Sequence, residues 1–379
     1  MTKVMHVIAG LRIGGTEMMC LRLTRHWNDE FDQHVVAWSP ADRALEPEFR
    51  GIARCTLSVA PDRALSRFQK WKWIVAMIAR ERPDAVLIHI FGIPHLIVAA
   101  AARLAGVKSI AAWAGNPPPE EPSPRRRYKT IITISKLLRC PIVTCSTAVE
   151  QEFLKLGVQL PRNSKPSPNG IDVNAVFDEA ERARKAQPDP PPVIAMVSRL
   201  DTIKDHATLL NAFARVQLRM PEVQLWIVGD GACRRQLEAL AEDLGICDAT
   251  TFFGNRSNVP SLLGQATIFA FSTTRAEGFG IVLIEAMAAG VPIVASDVAA
   301  CREVLAGGKT GILVPPSDPE RMSEAIRHLL DLPETRKRLT DAGLRRVQNK
   351  YAIEICARRW ENILFTKPTR MSEPAACVS

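Results

Sequence analysis

Three stretches of this sequence combine glycine with charge in patterns that suit a phosphate-bearing ligand. The first, residues 10–17, reads GLRIGGTE and lies between an apolar run and a helical segment. Adjacent glycines, Gly14 and Gly15, let backbone approach a ligand closely. The helix N-terminus behind them offers free N–H groups and the positive end of a dipole. The spacing is not G-x-G-x-x-G, so a plain tight turn stands as the alternative. The second, residues 198–205, reads SRLDTIKD. Arg199 offers a planar fork of donors and Lys204 a point charge. Two cations on one loop could clamp a diphosphate, or could be solvated loop charges. The third, residues 277–285, reads EGFGIVLIE. Glu277 opens a glycine-rich loop whose N–H groups could meet phosphate and sugar oxygens. Glu285 falls inside an apolar helical segment, residues 281–289, where an unpaired carboxylate is costly. It needs a partner: the hydroxyl pair of a ribose, or a neighbouring Arg or Lys.

Two further glycine turns say less. VGDG (228–231) reads as a turn in which Asp230 caps the following helix, with a phosphate loop as the alternative. PNGID (168–172) is a turn by its chemistry. The seven His are scattered and none stands in a ligand spacing such as H-E-x-x-H, so no metal site is expected. No G-x-S-x-G elbow and no G-x-x-x-x-G-K-[ST] loop occurs, which argues against an α/β-hydrolase and a P-loop enzyme. Nine Cys without a C-x-x-C pair argue against a disulfide framework and thiolate zinc, and fit a reducing cytoplasm.

Each of the three charged loops follows a short apolar run that reads as a buried strand, and each precedes a helical segment. Strands are expected at 4–9, 33–38, 85–90, 107–113 and 141–145. A second series runs at 193–197, 223–228, 251–253, 268–271 and 292–295, with helices between. Strands alternating with helices imply parallel sheets covered on both faces. Residues 178–192 (DEAERARKAQPDPPP) are charged and then Pro-rich, and read as a linker. The expected organisation is therefore an N-terminal domain over 1–177, that linker, a C-terminal domain over 193–350, a helix at 351–366 and a frayed tail at 367–379. The fold class is α/β, two doubly wound Rossmann-like domains facing a cleft. Ligands of such sheets bind at the carboxyl ends of the strands, and facing domains put them in the cleft. A length of 379 residues suits two or three domains, and 47% apolar with 23% charged residues rules out a disordered chain or a coiled coil. Neither a signal peptide nor a run long enough to span a membrane is apparent, so a cytoplasmic protein is expected.

Taken together and in order, GGTE (14–17), PNGID (168–172), SRLDTIKD (198–205), VGDG (228–231), FFGN (252–255), EGFGIVLIEAMAAGVPIVASD (277–297) and TGILVPPSDPE (310–320) resemble the retaining glycosyltransferases of family 4, which have the two-domain GT-B fold. The resemblance spans roughly residues 1–330. Its most specific part is 277–297, with two glutamates separated by seven residues.

The resemblance implies roles. Gly14 and Gly15 would approach the donor phosphate and the acceptor. Arg199 and Lys204 would hold the diphosphate and stabilise it as it leaves. Glu277 would bond hydroxyls of the transferred sugar, with backbone of Gly278, Phe279 and Gly280 beside it, and Glu285 would bond the nucleotide ribose. No metal or other cofactor is implied, because the cations take its place. The implied partners are a nucleotide-diphosphate sugar and a glycan or lipid-linked acceptor, with no nucleic acid. Transfer would occur on one face of the sugar, the departing phosphate taking the acceptor proton. The final helix would cross back onto the N-terminal domain. Many members carry a His where this chain has Ala114; His89 resembles another family His and is a candidate sugar contact, with His95 nearby. A nucleotide-sugar epimerase of the same fold and a non-catalytic nucleotide-sugar binder are the competing functions.

The basic excess is one-sided. Residues 1–170 hold 24 Lys and Arg against 14 Asp and Glu, and the remainder 25 against 26, so the first half carries the whole net charge of +9. Such a field implies an anionic partner or a solvated basic surface. Residues 62–82 (DRALSRFQKWKWIVAMIARER) carry Leu65, Phe68, Trp71, Ile74, Val75 and Ile78 at helical spacing among six cations, including Arg63. A basic amphipathic helix suits an anionic membrane surface, with Arg125, Arg126, Arg127 and Lys129 as a second cluster. The apolar stripe could equally pack on the first sheet.

Overall fold

The computed structural model describes residues 1–61, 66–187 and 191–365. The first series of strands is β1 (Lys3–Ile8), β2 (Asp32–Ala37), β3 (Cys55–Val59), β4 (Ala85–Ile88), β5 (Ser109–Ala114), β6 (Ile142–Thr144) and β7 (Lys165–Pro166). The second is β8 (Val193–Val197), β9 (Gln224–Val228), β10 (Thr250–Gly254), β11 (Ile268–Phe271), β12 (Ile293–Ser296) and β13 (Ile312–Val314). The sheet orders are β3-β2-β1-β4-β5-β6-β7 and β10-β9-β8-β11-β12-β13, both parallel. The chain winds outward one way from β1 and then the other way from β4; β8 and β11 repeat this in the second sheet. Those are the switch points at which a crevice opens beyond the strand ends. The central strands are apolar on both sides because helices cover both faces: Val4, Met5, Val7 and Ile8 of β1 are all buried.

The stretch read as a linker is not one over most of its length. Residues 178–186 belong to the helix Val173–Ala186, capped by Asp172, whose carboxylate accepts from the Ala175 N–H at 2.9 Å. Val176 and Ala180 form its buried stripe. The helix packs on Val259–Gln265 of the second domain so tightly that a Cβ on Gly264 would lie 2.1 Å from the Ala180 carbonyl oxygen. Charge density hid a short apolar stripe that only the partner helix makes visible. Residues 188–190 and the tail 367–379 lie outside the described residues.

The chain returns to the first domain at PNGID. Ile171 N–H donates to the Tyr351 carbonyl (3.0 Å) and Ile353 N–H to the Ile171 carbonyl (2.8 Å). A side chain on Gly170 would sit 2.6 Å from Cys356 Cβ, so glycine permits the crossing. The last helix, Ile353–Leu364, then lies on the first domain, where Glu361 accepts from Trp27 Nε1 at 2.9 Å.

The amphipathic segment forms the helix Arg67–Glu81, capped by Ser66. Ile74 and Ile78 are buried against Met5, Val7 and Val36 of the sheet, so the stripe serves the core. Leu65 and Arg63 lie outside the described residues. Phe68 remains 60% exposed, stacked on Trp71 with Lys72 over its ring. Among the described residues no helix is long and apolar enough to cross a membrane.

Candidate functional site

The three charged loops meet where the carboxyl ends of the two sheets face one another. The loop 10–15 leaves β1 and enters the helix Gly15–His26, with Gly14 as its N-cap. A Cβ on Gly15 would come 3.3 Å from Ile281 of the second domain, and one on Gly14 would lie 2.7 Å from the Glu17 carboxylate. Glu17 is buried in the first helical turn, with Arg12 at 3.6 Å. Burial pushes its carboxyl pKa up, opposed by its own backbone N–H and by the charges of Arg12 and, across the cleft, Arg199. Glu17 belongs to the GGTE motif, yet nothing in its sequence setting distinguishes it from an ordinary first-turn acid.

Arg199 and Lys204 stand on one loop but differ in setting. Arg199 is 60% exposed and pairs with Asp201 at 2.7 Å. Lys204 is 15% exposed, paired with Glu277, and lies 5.1 Å from the Phe271 ring centre. The loop is tied to the end of β11: Thr273 Oγ1 donates to the Ile203 carbonyl at 3.0 Å and Ser272 Oγ to that of Lys204 at 3.4 Å. VGDG braces it from the other side. A Cβ on Gly229, at φ +132°, would fall 1.9 Å from the Ser198 carbonyl oxygen, and one on Gly231 would fall 2.4 Å from that of Leu200. These glycines are required by backbone packing against the cation loop. Asp230 does not cap the next helix, as its position suggested. It accepts from the Gly231 N–H at 2.7 Å and faces Arg234.

The loop 277–280 is held by both domains. Burial alone would raise Glu277, but Lys204 and the N–H groups of Phe279 and Gly280 outweigh it and hold the carboxyl below its usual range. The Gly278 carbonyl accepts from Ser146 Oγ at 2.8 Å, and a Cβ there would meet the Gly115 carbonyl oxygen at 2.0 Å. Phe279 buries its ring against Tyr351, leaving only its backbone to a ligand. Gly280 adopts φ +78° and starts the helix Ile281–Ala288. Glu285 on that helix pairs with Arg22 of the first domain's first helix. A second clasp is Glu303, which accepts from the Thr147 and Ala148 N–H groups at 3.2 and 2.8 Å. Sequence reasoning missed Arg22, Ser146 and Glu303, because each acts on a residue more than 100 positions away.

His89 cannot contact a sugar in this structure. It is 3% exposed at the end of β4, where its N–H donates to the Val7 carbonyl of β1, and Trp360 of the last helix packs beside it. Gln33 Nε2 donates to the Thr24 carbonyl, which turns its Oε1 toward His6. His6 Nε2 therefore donates to Gln33 (3.3 Å) and His89 Nε2 to His6 Nδ1 (3.2 Å). Both rings are neutral: burial depresses His6 to about 4 and His89 well below its ordinary value. His95 is also buried, between the Gly92 N–H and Ser135, and is not a cleft residue. Ala114 is buried at the end of β5. The fold also gathers His6, Cys20 and His89 within 4.8 Å, which their scattered positions concealed. The hydrogen-bonded pair already uses the facing nitrogens, and burial raises the Cys20 thiol.

These buried rings predict acid sensitivity. His6, His95 and His206 fall to about 4 from 6.5, with burial the largest cause. The unfolded chain then binds more protons between those values, so stability is full above about pH 6.5 and is lost as pH falls toward 4. Each ring removes on the order of 2 kcal/mol by pH 5. The urea midpoint is expected to fall between pH 7.5 and 5, and to fall less in His6→Gln.

Two family models match the chain: Glycosyltransferase Family 4 over residues 13–175 and Glycosyl transferases group 1 over 177–346. The chain is 34% identical over 215 residues to the GDP-mannose-dependent monoacylated alpha-(1-6)-phosphatidylinositol monomannoside mannosyltransferase of Corynebacterium glutamicum, covering 53% of this chain and 56% of that protein. It is 39% identical over 163 residues to the phosphatidyl-myo-inositol mannosyltransferase of Mycobacterium tuberculosis, 42% of each chain. The chain thus spans about half the length of the curated relatives it matches. Among solved structures, Anabaena HepE in complex with UDP-glucose superposes with a TM-score of 0.82 at 18% identity, over 96% of this chain and 99% of that one. WaaG, a glycosyltransferase involved in lipopolysaccharide biosynthesis, gives 0.75 at 17%, over 96% and 100%. At those identities the likeness speaks for the two-domain fold.

Proposed function

The chain belongs to glycosyltransferase family 4, and on that premise we propose that it moves a sugar from a nucleotide-diphosphate donor to a lipid-linked or surface-glycan acceptor with retention at the anomeric carbon. The observation that carries this reading is the Lys204–Glu277 pair, a cation and an enclosed carboxylate side by side at the strand ends of one domain, in loops that adjoin the glycine loop of the other. Breaking the anomeric bond leaves positive charge on the sugar and negative charge on the diphosphate. Lys204 and Arg199 sit ready to stabilise the leaving group, which is electrostatic preorganisation. Glu277 accepts from sugar hydroxyls, and Glu285 from the ribose. Gly14 and Gly15 bring the N-terminus of their helix toward the phosphate and leave room for the acceptor. The two cations supply the charge that a divalent metal would otherwise provide. No carboxylate is assigned as a nucleophile; the departing phosphate takes the acceptor proton.

The test incubates the protein with GDP-mannose or UDP-glucose, with and without a membrane glycolipid extract, in EDTA. Sugar transfer that needs the extract and persists in EDTA is expected. Turnover of donor to another sugar without acceptor would favour an epimerase, and donor binding without transfer a non-catalytic binder.

We further propose that the basic first domain works against the cytoplasmic leaflet. On the helix Pro122–Leu137, Arg126, Arg127, Lys129 and Lys136 are exposed beside Leu137, which is 78% exposed. Each cation near an anionic leaflet contributes ~1 kcal/mol, so peripheral, salt-sensitive binding is expected. Flotation with liposomes containing anionic lipid at low salt, lost at high salt, supports this. Equal flotation on neutral lipid, or none on either, rejects it.

A further inference from the structure

One peptide group of the loop 277–280 is gripped at both ends. Its carbonyl, that of Gly278, accepts from Ser146 Oγ at 2.8 Å and from Cys145 Sγ at 3.3 Å, both on the first domain. Its N–H, that of Phe279, donates to Glu277 Oε1 at 3.3 Å. The peptide is trans and therefore planar, with C=O and N–H pointing opposite ways. Whatever fixes the carbonyl thus fixes the direction of the N–H. Ser146 is fully buried, so water does not compete for its contacts. As the N-cap of the helix Thr147–Leu154, its Oγ also accepts from the Val149 N–H at 3.0 Å. An N–H can only donate and a carbonyl can only accept, so the single hydroxyl proton goes to Gly278. Cys145 is the weaker holder, because its one S–H is shared with the Gly115 carbonyl at 3.2 Å. The other oxygen of Glu277, Oε2, takes Lys204, with Thr273 Oγ1 at 3.5 Å. The carboxylate is thus fixed on one side by its own domain and on the other by a peptide that the first domain holds.

We propose that Ser146 is a positioning residue for the transferred sugar: through the Gly278–Phe279 peptide it aligns the Glu277 carboxylate from the opposite domain. This rests on the proposed function, in which Glu277 accepts from sugar hydroxyls, and adds the first-domain residue that sets where that carboxylate sits. Ser146 is enclosed and touches no substrate itself. Its loss frees the peptide to turn and releases one side of Glu277, while Arg199 and Lys204 stay in place for the diphosphate. The expected signature is a fall in kcat from misplaced sugar contacts, without loss of affinity for the plain nucleotide.

The experiment uses the full chain as wild type, S146A, S146G, S146T, E277Q and S146A/E277Q, with thermal melts to check folding. Sugar transfer from GDP-mannose or UDP-glucose to a membrane glycolipid extract gives kcat, and calorimetry gives the affinity for GDP and UDP. S146A removes a helix cap as well as the donor, whereas S146G removes the donor and largely keeps the helix start, since glycine is an accepted N-cap. Both are expected to lower kcat about five- to tenfold, with nucleotide affinity within twofold of wild type. S146T keeps the hydroxyl and should recover most of the loss. In S146A/E277Q the serine change should cost nothing beyond E277Q, because its effect runs through that carboxylate. Wild-type kcat in S146G, an equal loss from S146A on the E277Q background, or nucleotide affinity falling in step with kcat overturns the inference while leaving the proposed function standing. Absence of transfer by wild type from either donor overturns the proposed function, and this inference falls with it.

Discussion

Lys204→Ala and Arg199→Ala are each expected to lower turnover by about two orders of magnitude at saturating donor, as loss of one preorganised donor does. Their effects on stability should part company. Arg199 is 60% exposed and pairs with Asp201 at the surface, where an ion pair is worth about 0–1 kcal/mol. Its removal should leave the melting temperature nearly unchanged. Lys204 and Glu277 are 15 and 8% exposed, and removing one partner of such an enclosed pair costs about 3–5 kcal/mol. Lys204→Ala should therefore melt earlier. Adding Glu277→Gln to it should restore part of the stability and none of the activity. That combination separates the cation's role in the reaction from its role in neutralising the carboxylate. Wild-type turnover in both single variants would remove these cations from the mechanism.

Glu277→Gln and Glu285→Gln should divide the donor between them. Glu277 stays charged through Lys204 and two backbone N–H groups, in the loop beside the proposed sugar position. Its replacement is expected to depress kcat by about a hundredfold, with affinity for plain nucleotide diphosphate kept within a few-fold. Glu285 sits one helix behind, at the Arg22 clasp. Hydrogen bonds to a charged group contribute about 1.5–3 kcal/mol, so Glu285→Gln should weaken UDP or GDP by at least tenfold. Calorimetry and steady-state kinetics on the same preparations check the pair. Nucleotide affinity lost in Glu277→Gln and kept in Glu285→Gln would reverse the assignment.

Much of the fold was legible because parallel strands are continuous apolar runs and their helices carry one apolar stripe. The runs at 193–197 and 268–271 coincide with β8 and β11 to the residue. β3 escaped notice because its half-buried CTLSV pattern carries no strong run, and β7 because it has two residues. The helix Val173–Ala186 was obscured by its charge. In each case the deciding contacts come from a neighbour distant in the chain.

The candidate site divides in the same way. Sequence by itself determined which loops could carry phosphate chemistry, since glycine freedom, cation type and a helix start are local properties, and the order of motifs pointed to the family. Only the tertiary structure decided how each residue is used. Gly229 and Gly231 read as a turn, with a phosphate loop as the alternative, and they are glycines because the cation loop's carbonyls lie where Cβ atoms would be. His89 looked like a sugar contact, and it is buried at the end of β4 between His6 and Trp360. Arg22 carries no local signal in the sequence, and it reaches Glu285 across 263 positions. Burial and cross-domain partnership are sums over neighbours brought together by folding. A local pattern can therefore name the residue types that do chemistry, whereas which of them face the cleft depends on how the two sheets come together.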